Sequence, residues 1–338
     1  MITLINRLAS VQHLDNDNLS KLIATCCHDD NLFNQLRDKA TQTAREQFGL
    51  GVYMRGLVEI SSYCKNNCYY CGLRRDNKNA SRYRLSDEDI LACCNEGYAV
   101  GLRTFVLQGG EDAAFADNRL VSLITQIRHT CPDAAITLSL GERSAESYQH
   151  LFEAGASRYL LRHEAANPLL YDHLHPSNMS HANRINCIKS LIAIGYQTGM
   201  GMMVGAPGQT IEHLIDDLLL MKQLQPQMIG IGTFIPHPDT PFGMHHSGDL
   251  RLTYIVIAIA RLMHPQANIP ATTALQTLSP TGYIDGILSG ANVVMPNITP
   301  LALRPQYEIY KGKHHTNTPI AETIQSLAQQ LATIGYHL

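Results

Sequence analysis

The chain has 338 residues, 45% of them hydrophobic, which is enough apolar side chain for a large buried core. Its 26 basic and 29 acidic side chains give a net charge of −3, so no basic surface for nucleic acid is expected. The chain has nine cysteines, an odd number, and its N-terminal residues do not have the pattern of an export signal. Both observations argue against a disulfide framework. No apolar run is long enough to span a bilayer, so we expect a cytoplasmic protein without a membrane partner.

Short β-branched segments alternate along the chain with amphipathic segments of helical period. Eight strands are predicted, at residues 52–61, 104–108, 135–140, 158–162, 197–204, 228–234, 269–273 and 291–295. Strands that alternate with helices favour a parallel sheet, and eight of them predict a closed (β/α)8 barrel of the TIM type. We expect this barrel to occupy residues 51–300, with a helical extension at 1–50 and a closing segment with a last helix at 301–338, all in one structural unit.

The chemically reactive residues follow the predicted strands. A cysteine-rich loop follows the first strand, residues 108–112 follow the second, 141–143 the third and 163–164 the fourth. In such barrels the loops at the carboxyl ends of the strands build the active site. The sequence therefore predicts that these residues meet at one end of the barrel.

The first of these loops contains Cys64, Cys68 and Cys71 in the spacing C-x3-C-x2-C. Cysteine thiolates in such a loop bind iron–sulfur clusters or zinc. Three ligands leave one iron of a 4Fe–4S cubane open to a small molecule, whereas structural zinc takes four protein ligands. A zinc site completed from a distance, or three unligated thiols, are the alternatives at this point.

This cysteine motif after the first strand of an α/β barrel resembles the radical S-adenosylmethionine (SAM) superfamily. The resemblance implies that the open iron binds the amino and carboxylate groups of SAM. It also implies that reductive cleavage of SAM yields methionine and a 5′-deoxyadenosyl radical. The expected cofactors are therefore one 4Fe–4S cluster and SAM, because residues 311–338 contain no further cysteine.

Within the superfamily, the chain resembles the HydE family of FeFe-hydrogenase maturases from about residue 55 to 313. The matching stretches lie in the same order along the chain: RGLVE at 55–59, CGLRRDN at 71–77, LQGGED at 107–112, TLSLGE at 137–142, RYLLRHE at 158–164, VGAPGQT at 204–210, GIGTFIPHPDTP at 230–241, NIPATT at 268–273 and GANVVMPN at 290–297. Each stretch alone is a weak signal, whereas their ordered combination is specific.

The resemblance implies two sets of site residues. Those expected at SAM are Tyr70, Gly109, Gly110, Glu111, Ser139, Glu164 and Arg184. Plainer roles also fit the sequence, namely a simple turn at the two adjacent glycines and a structural ion pair for Glu164 and Arg184. Those expected at an anionic substrate are Arg158, Arg162, Thr272, Thr273 and Tyr307. Arg158 and Arg162 are expected to share a strand face that points into the barrel mouth, and Tyr307 and Tyr310 to close the cavity or to pack on a helix face.

Membership of that family would imply a role in assembling the two-iron subcluster of FeFe-hydrogenase, on an iron–cysteine complex that carries CO and cyanide. HydG is the expected supplier and HydF the expected downstream scaffold, with ferredoxin or flavodoxin as electron donor. A methylornithine synthase-like mutase is the nearest alternative enzyme, and biotin synthase is disfavoured because no further cysteines face the barrel interior. An iron–sulfur carrier or electron-transfer protein is the alternative from another class.

Overall fold

Parallel strands form the wall of a barrel in the computed structural model, which describes residues 1–338. The strands are β1 (Tyr53–Met54), β2 (Gly56–Ser61), β3 (Thr104–Gly109), β4 (Ala135–Ser139), β5 (Ala156–Leu160), β6 (Gln197–Val204), β7 (Met228–Thr233) and β8 (Val293–Val294). Strands β2 to β7 form one six-stranded sheet in chain order, and each neighbouring pair is parallel. The predicted parallel α/β fold of the TIM type is therefore confirmed.

The rest of the wall is closed by short pairings. β1 pairs with β8, and isolated parallel bridges join Met228 to Asn268, Pro270 to Val293, and Leu57 to Asn297. The predicted seventh strand at 269–273 is wrong in its extent, because only Asn268 and Pro270 pair and Thr273 already begins a helix. Proline has no N–H to donate to a strand ladder, which accounts for the short pairing here.

Thirteen α-helices surround and cover the barrel. They are α1 (Ile2–Val11), α2 (Asn16–His28), α3 (Asp30–Phe48), α4 (Asp87–Ala99), α5 (Asp117–Thr130), α6 (Ala145–Glu153), α7 (Pro168–Leu174), α8 (His181–Ile194), α9 (Ile211–Leu224), α10 (Leu250–Met263), α11 (Thr273–Leu278), α12 (Gly282–Ile287) and α13 (Ile320–Ala332). Helix α4 begins with a capping box, in which the side chains of Ser86 and Asp89 each accept a hydrogen bond from the backbone N–H of the other residue. Helix α8 ends at Gly195, which adopts a left-handed conformation.

One hydrophobic core connects the barrel with both ends of the chain. Its 71 buried residues include Leu8 from α1 and Leu331 from α13, so the terminal helices pack onto the same core as the strands. The division of the chain at residues 50 and 300 stays a prediction. None of the helices combines the length and the apolar character that crossing a membrane requires.

Candidate active site at the carboxyl end of the barrel

The cysteine loop leaves β2 at the carboxyl end of the barrel and is anchored there by its backbone. Three hydrogen bonds connect it to the loop after β3, to the end of α7 and to the segment before α13: Lys65 N–H to Glu111 O (2.9 Å), Tyr69 N–H to Leu174 O (3.0 Å) and Gly72 N–H to Ile309 O (2.8 Å). Because the anchors come from three different parts of the fold, the loop conformation depends on the assembled barrel.

Cys64, Cys68 and Cys71 are half-buried free thiols. Burial raises the pKa of all three, that of Cys71 to about 12, and the pKa of Cys68 rises further because the other two thiols are close. The backbone N–H of Glu111 donates to Cys64 Sγ at 3.4 Å. Metal binding releases the protons of such thiols, so a bound iron–sulfur cluster would hold these groups as thiolates.

Three soft donors with an N–H···S hydrogen bond suit an iron–sulfur cluster. Two of them, Cys68 and Cys71, line a cavity inside the barrel, which leaves room for a small molecule beside the cluster. No three His, Cys, Asp or Glu side chains converge on the position of a single metal ion. The donor set and the adjoining cavity fit a cluster held by three cysteines.

Gly110 lies where the end of β3 meets the cysteine loop. A Cβ atom at this position would lie 2.2 Å from the carbonyl oxygen of Tyr63 and 2.6 Å from Cys64 Cβ. Only glycine permits this approach of two backbones. The neighbouring Gly109 lines the cavity itself.

Glu111 connects the loops that follow β2, β3 and β4. Its carboxylate accepts a hydrogen bond from the Glu142 N–H at 3.0 Å and forms an ion pair with Lys65 Nζ at 3.1 Å. It does not line the cavity. The structure therefore places Glu111 beside the cysteine loop, with its carboxylate already engaged by protein groups.

The cavity has a volume of about 320 Å³ and is surrounded by the carboxyl ends of the strands. Many of the residues predicted for SAM and for the substrate line it together: Tyr70, Gly109, Ser139, Arg162, Glu164, Thr272, Thr273, Tyr307 and Tyr310. Tyr307 and Tyr310 thus face the cavity. The sequence predicted that the loops after different strands meet at one end of the barrel. The structure confirms this, because side chains from several of these loops line one cavity.

Arg162 and Glu164 both line the cavity and lie side by side on its wall. Arg162 Nη2 lies 3.1 Å from Glu164 Oε2, which is close enough for an ion pair but lacks hydrogen-bond geometry. Several buried polar atoms here have no hydrogen-bond partner: Arg162 Nε and Nη2, Glu164 Oε2 and Thr272 Oγ1. Buried polar groups in proteins are nearly always hydrogen-bonded. Arg162 Nε and Thr272 Oγ1 are therefore available to a bound molecule, and the Arg162–Glu164 ion pair leaves hydrogen-bonding capacity on both side chains.

The expectation that Arg158 points into the same mouth is wrong. Its guanidinium donates to Gln197 Oε1 at 2.8 Å and to Thr104 Oγ1 at 3.2 Å. Thr104 and Gln197 are the first residues of β3 and β6, so Arg158 lies at the amino end of the barrel. Residues four positions apart on a strand lie about 13 Å apart along the strand axis. Arg158 therefore lies well below the barrel mouth that Arg162 lines, although the sequence pattern predicted one common face for both side chains.

Arg184 is buried at the start of α8, outside the cavity lining. Its Nε lies 2.7 Å from Glu142 Oε1, and its Nη1 donates to the carbonyl oxygen of Arg162 at 3.3 Å. The structure thus gives Arg184 the ion-pair partner that the sequence left open as an alternative. Contact with SAM stays a prediction for this residue.

Sequence reasoning missed His175, which holds Tyr70 in place. The Tyr70 hydroxyl lies 3.1 Å from His175 Nε2, while His175 Nδ1 lies 2.8 Å from the carbonyl oxygen of Tyr171. Burial lowers the pKa of His175 to about 4, so the ring is neutral and its Nε2 accepts the hydrogen bond from Tyr70. A single histidine just after a short helix carries no sequence signal for this role.

A second missed feature is a buried ion pair on the cavity wall between Lys313 Nζ and Glu59 Oε1, 2.6 Å apart. The other carboxylate oxygen of Glu59 accepts a hydrogen bond from Asn297 Nδ2 at 2.8 Å. Glu59 is the one charged residue of β2 and Lys313 lies 254 residues further on, so no local pattern joins them.

Residues 58–221 match the model of the radical SAM superfamily. The chain is 46% identical over 282 residues to the [FeFe] hydrogenase maturase subunit HydE of Thermotoga maritima, covering 83% of this chain and 80% of that protein. It is 28% identical to 3-methylornithine synthase of Methanosarcina acetivorans, over 83% of this chain and 79% of the relative. The crystal structure of methylornithine synthase (PylB) superposes with a TM-score of 0.86 at 25% identity, covering 99% of this chain and 96% of that one.

Proposed function

The chain belongs to the radical SAM superfamily and, within it, to the HydE family, and from this premise we propose that it acts in maturation of the FeFe-hydrogenase active site. The observation that carries the proposal is the cysteine loop beside a cavity with unpartnered polar atoms at the carboxyl end of the barrel. A carrier of iron–sulfur clusters has no need of such a cavity, which favours an enzyme.

The cofactors are a 4Fe–4S cluster and SAM. We assign the cluster to Cys64, Cys68 and Cys71. Bound together, the cluster and SAM supply a 5′-deoxyadenosyl radical. The task of the protein is to orient SAM and to exclude water. The position of the cavity beside Cys68 and Cys71, at the carboxyl ends of the strands, supports the first of these.

One set of residues at the cavity is assigned to SAM. Tyr70 presents a ring that is fixed by His175 and suits an adenine face. Glu164 presents a buried carboxylate oxygen without a hydrogen-bond partner, which suits a hydroxyl or an amine. Ser139 and Gly109 line the cavity at the ends of β4 and β3, where small residues leave room for SAM. Gly110 is assigned to the same site through its close packing against the cysteine loop.

Other residues that line the cavity are assigned to the substrate. Arg162 offers a cation whose Nε has no partner, and Thr272 offers a hydroxyl without a hydrogen-bond partner. Thr273, Tyr307 and Tyr310 complete this set. The chemistry of this set suits a carboxylate or an anionic complex.

The proposed substrate is an iron complex that bears cysteine, CO and cyanide, as the family resemblance implies. We propose HydG as its supplier, HydF as the acceptor of the product, and ferredoxin or flavodoxin as the electron donor. We also propose that the reaction takes place in the cytoplasm.

Product analysis after anaerobic reconstitution tests this assignment. The reduced protein is incubated with SAM and either the cysteine-bearing iron complex or lysine, and the products are identified by mass spectrometry. We expect an adenosyl–sulfur adduct from the iron complex and no methylornithine from lysine. Methylornithine in the mixture would overturn the maturase assignment and favour the alternative that the shared methylornithine synthase fold suggests.

A further inference from the structure

Glu164 has an unusual backbone conformation, with φ at +64°. Only two other non-glycine residues have positive φ, Gln12 and Gln225, and both are C-caps of helices, where the left-handed conformation is common. Glu164 lies at no helix end. An L-residue with a bulky side chain is disfavoured there, so the surrounding structure must enforce the conformation.

The strained residue is the centre of a three-residue turn. The Ala165 N–H donates to the carbonyl oxygen of His163 at 2.9 Å, and the Glu164 N–H donates to the carbonyl oxygen of Gly201 in β6 at 3.1 Å. A turn closed across a single residue with positive φ is the rare and strained form of the γ-turn. Its effect here is to place the Glu164 side chain on the cavity wall.

Asp217 of α9 fixes both sides of this turn. Its Oδ1 accepts a hydrogen bond from the Ala166 N–H at 2.6 Å and lies 3.1 Å from His163 Nε2. His163 Nδ1 accepts from the Gly201 N–H at 3.3 Å, so the proton is on Nε2, which donates to Asp217. His163 and Asp217 are both fully buried.

These contacts serve no other visible purpose. Neither His163 nor Asp217 lines the cavity, and Asp217 makes no hydrogen bond besides these two. A buried carboxylate is costly to desolvate, and apolar residues fill the equivalent core positions of α9 at Leu214 and Leu218. The polar pair therefore needs a reason beyond packing, and the strained turn that it brackets supplies one.

We propose that Asp217 and His163 are positioning residues that hold Glu164 in the left-handed conformation required for binding SAM. This inference rests on the proposed function, in which Glu164 contacts SAM. Without the clamp the turn relaxes to negative φ and the carboxylate leaves the cavity. Neither residue touches the cofactor, so their effect on SAM passes entirely through Glu164.

A double-mutant cycle on the cluster-loaded protein tests this dependence. The SAM dissociation constant is measured by equilibrium binding for the wild type, Asp217→Leu, Glu164→Ala and the double variant. We expect each single variant to bind SAM about tenfold more weakly, because each loses the charge-assisted contact between the Glu164 carboxylate and SAM. The double variant should bind like Glu164→Ala alone, since the clamp has nothing left to position.

Two controls separate positioning from general destabilisation. Asp217→Asn keeps an oxygen that accepts both hydrogen bonds and should restore most of the affinity. Tyr196→Phe removes a buried 2.8 Å hydrogen bond to the Tyr148 carbonyl oxygen and should leave SAM binding unchanged. If Asp217→Leu does not fold, the same cycle is run with His163→Leu, which removes the bond to Asp217 and the bond from Gly201.

The outcomes distinguish the two levels of the argument. Additive losses in the double variant would overturn the positioning role while leaving SAM binding by Glu164 intact. An unchanged SAM affinity in Glu164→Ala would overturn the assignment of Glu164, and the positioning role with it. Weaker SAM binding by Asp217→Leu than by the wild type, together with equal constants for Glu164→Ala and the double variant, supports the proposal. Wild-type SAM affinity in Asp217→Leu would overturn it.

Discussion

The two ends of the barrel use arginine in opposite ways. At the amino end, Arg261 is fully buried and its guanidinium donates to four backbone carbonyl oxygens and to Asn292 Oδ1. Arg158, at the same end, donates to Gln197 and Thr104. At the carboxyl end, Arg162 has buried Nε and Nη2 atoms without a hydrogen-bond partner.

This contrast separates structural from functional polarity within one fold. A guanidinium whose N–H groups donate to protein oxygens stabilises the loops that it joins. A guanidinium with N–H groups that lack a hydrogen-bond partner keeps donors available for a ligand. The same distinction applies to backbone strain, because the one positive-φ side chain outside a helix end, Glu164, belongs to the carboxyl end. Each of the following variants tests whether the two ends differ as described.

The largest effect is expected from the cysteines. Cys68→Ala should reduce the iron of the reconstituted protein from about four atoms per chain to nearly none, because two cysteines do not hold a cubane. Cys131, buried at the end of α5, provides the matched control, and Cys131→Ala should keep the full iron content. Iron near eight atoms per chain, or an intact cluster in Cys68→Ala, would contradict the single-site account.

A large loss of stability is expected from Arg261→Met. The change leaves several buried carbonyl oxygens without donors, so the free energy of unfolding should fall by at least about 3 kcal/mol, measured by urea denaturation. Arg162→Met should lower it by less, about 1–2 kcal/mol, because it breaks one ion pair, with Glu164, and no hydrogen bond. Similar losses in both variants would erase the difference between the two ends.

Activity should respond in the opposite order. Arg162→Met should slow substrate-dependent turnover by about 10- to 100-fold, the value of a charge-assisted hydrogen bond, while SAM affinity stays near that of the wild type. Arg158→Met should leave turnover near the wild-type rate, because its guanidinium is bonded at the amino end. Collapse of SAM binding in Arg162→Met would move this residue from the substrate set to the SAM set.

The smallest effect concerns the ring at the cluster. Tyr70→Phe keeps the ring but loses the hydrogen bond to His175, so SAM affinity should weaken by about two- to tenfold. Tyr69→Phe is the control, since the Tyr69 ring packs edge-on against Phe242 and its hydroxyl makes no hydrogen bond. Equal affinities for the two variants would show that the ring needs no such anchor.

The fold and the position of the site were predictable because they depend on local patterns. Strand and helix periods, the capping box at Ser86 and the glycine stop at Gly195 each act over a few residues. Chain order then brings the loops after successive strands to one end of the barrel. The cysteine spacing needs no tertiary information at all.

Height along a strand and long-range partners were not predictable in this way. Alternation along the predicted strand 158–162 groups Arg158 with Arg162, but β5 ends at Leu160, so Arg162 lies beyond the strand and the two side chains have different surroundings. The clamp on Glu164 depends on Asp217, 54 residues after His163. Glu59 and Lys313 are 254 residues apart in the sequence, so only the assembled structure reveals that they form an ion pair.

Cleavage of SAM by the reduced protein tests the central claim most directly. The wild type, reconstituted anaerobically and reduced with dithionite, is incubated with SAM, and 5′-deoxyadenosine and methionine are quantified by chromatography. We expect both products in equal amounts, and none from Cys68→Ala. A reduced wild-type protein with about four iron atoms per chain that releases no 5′-deoxyadenosine would contradict the account.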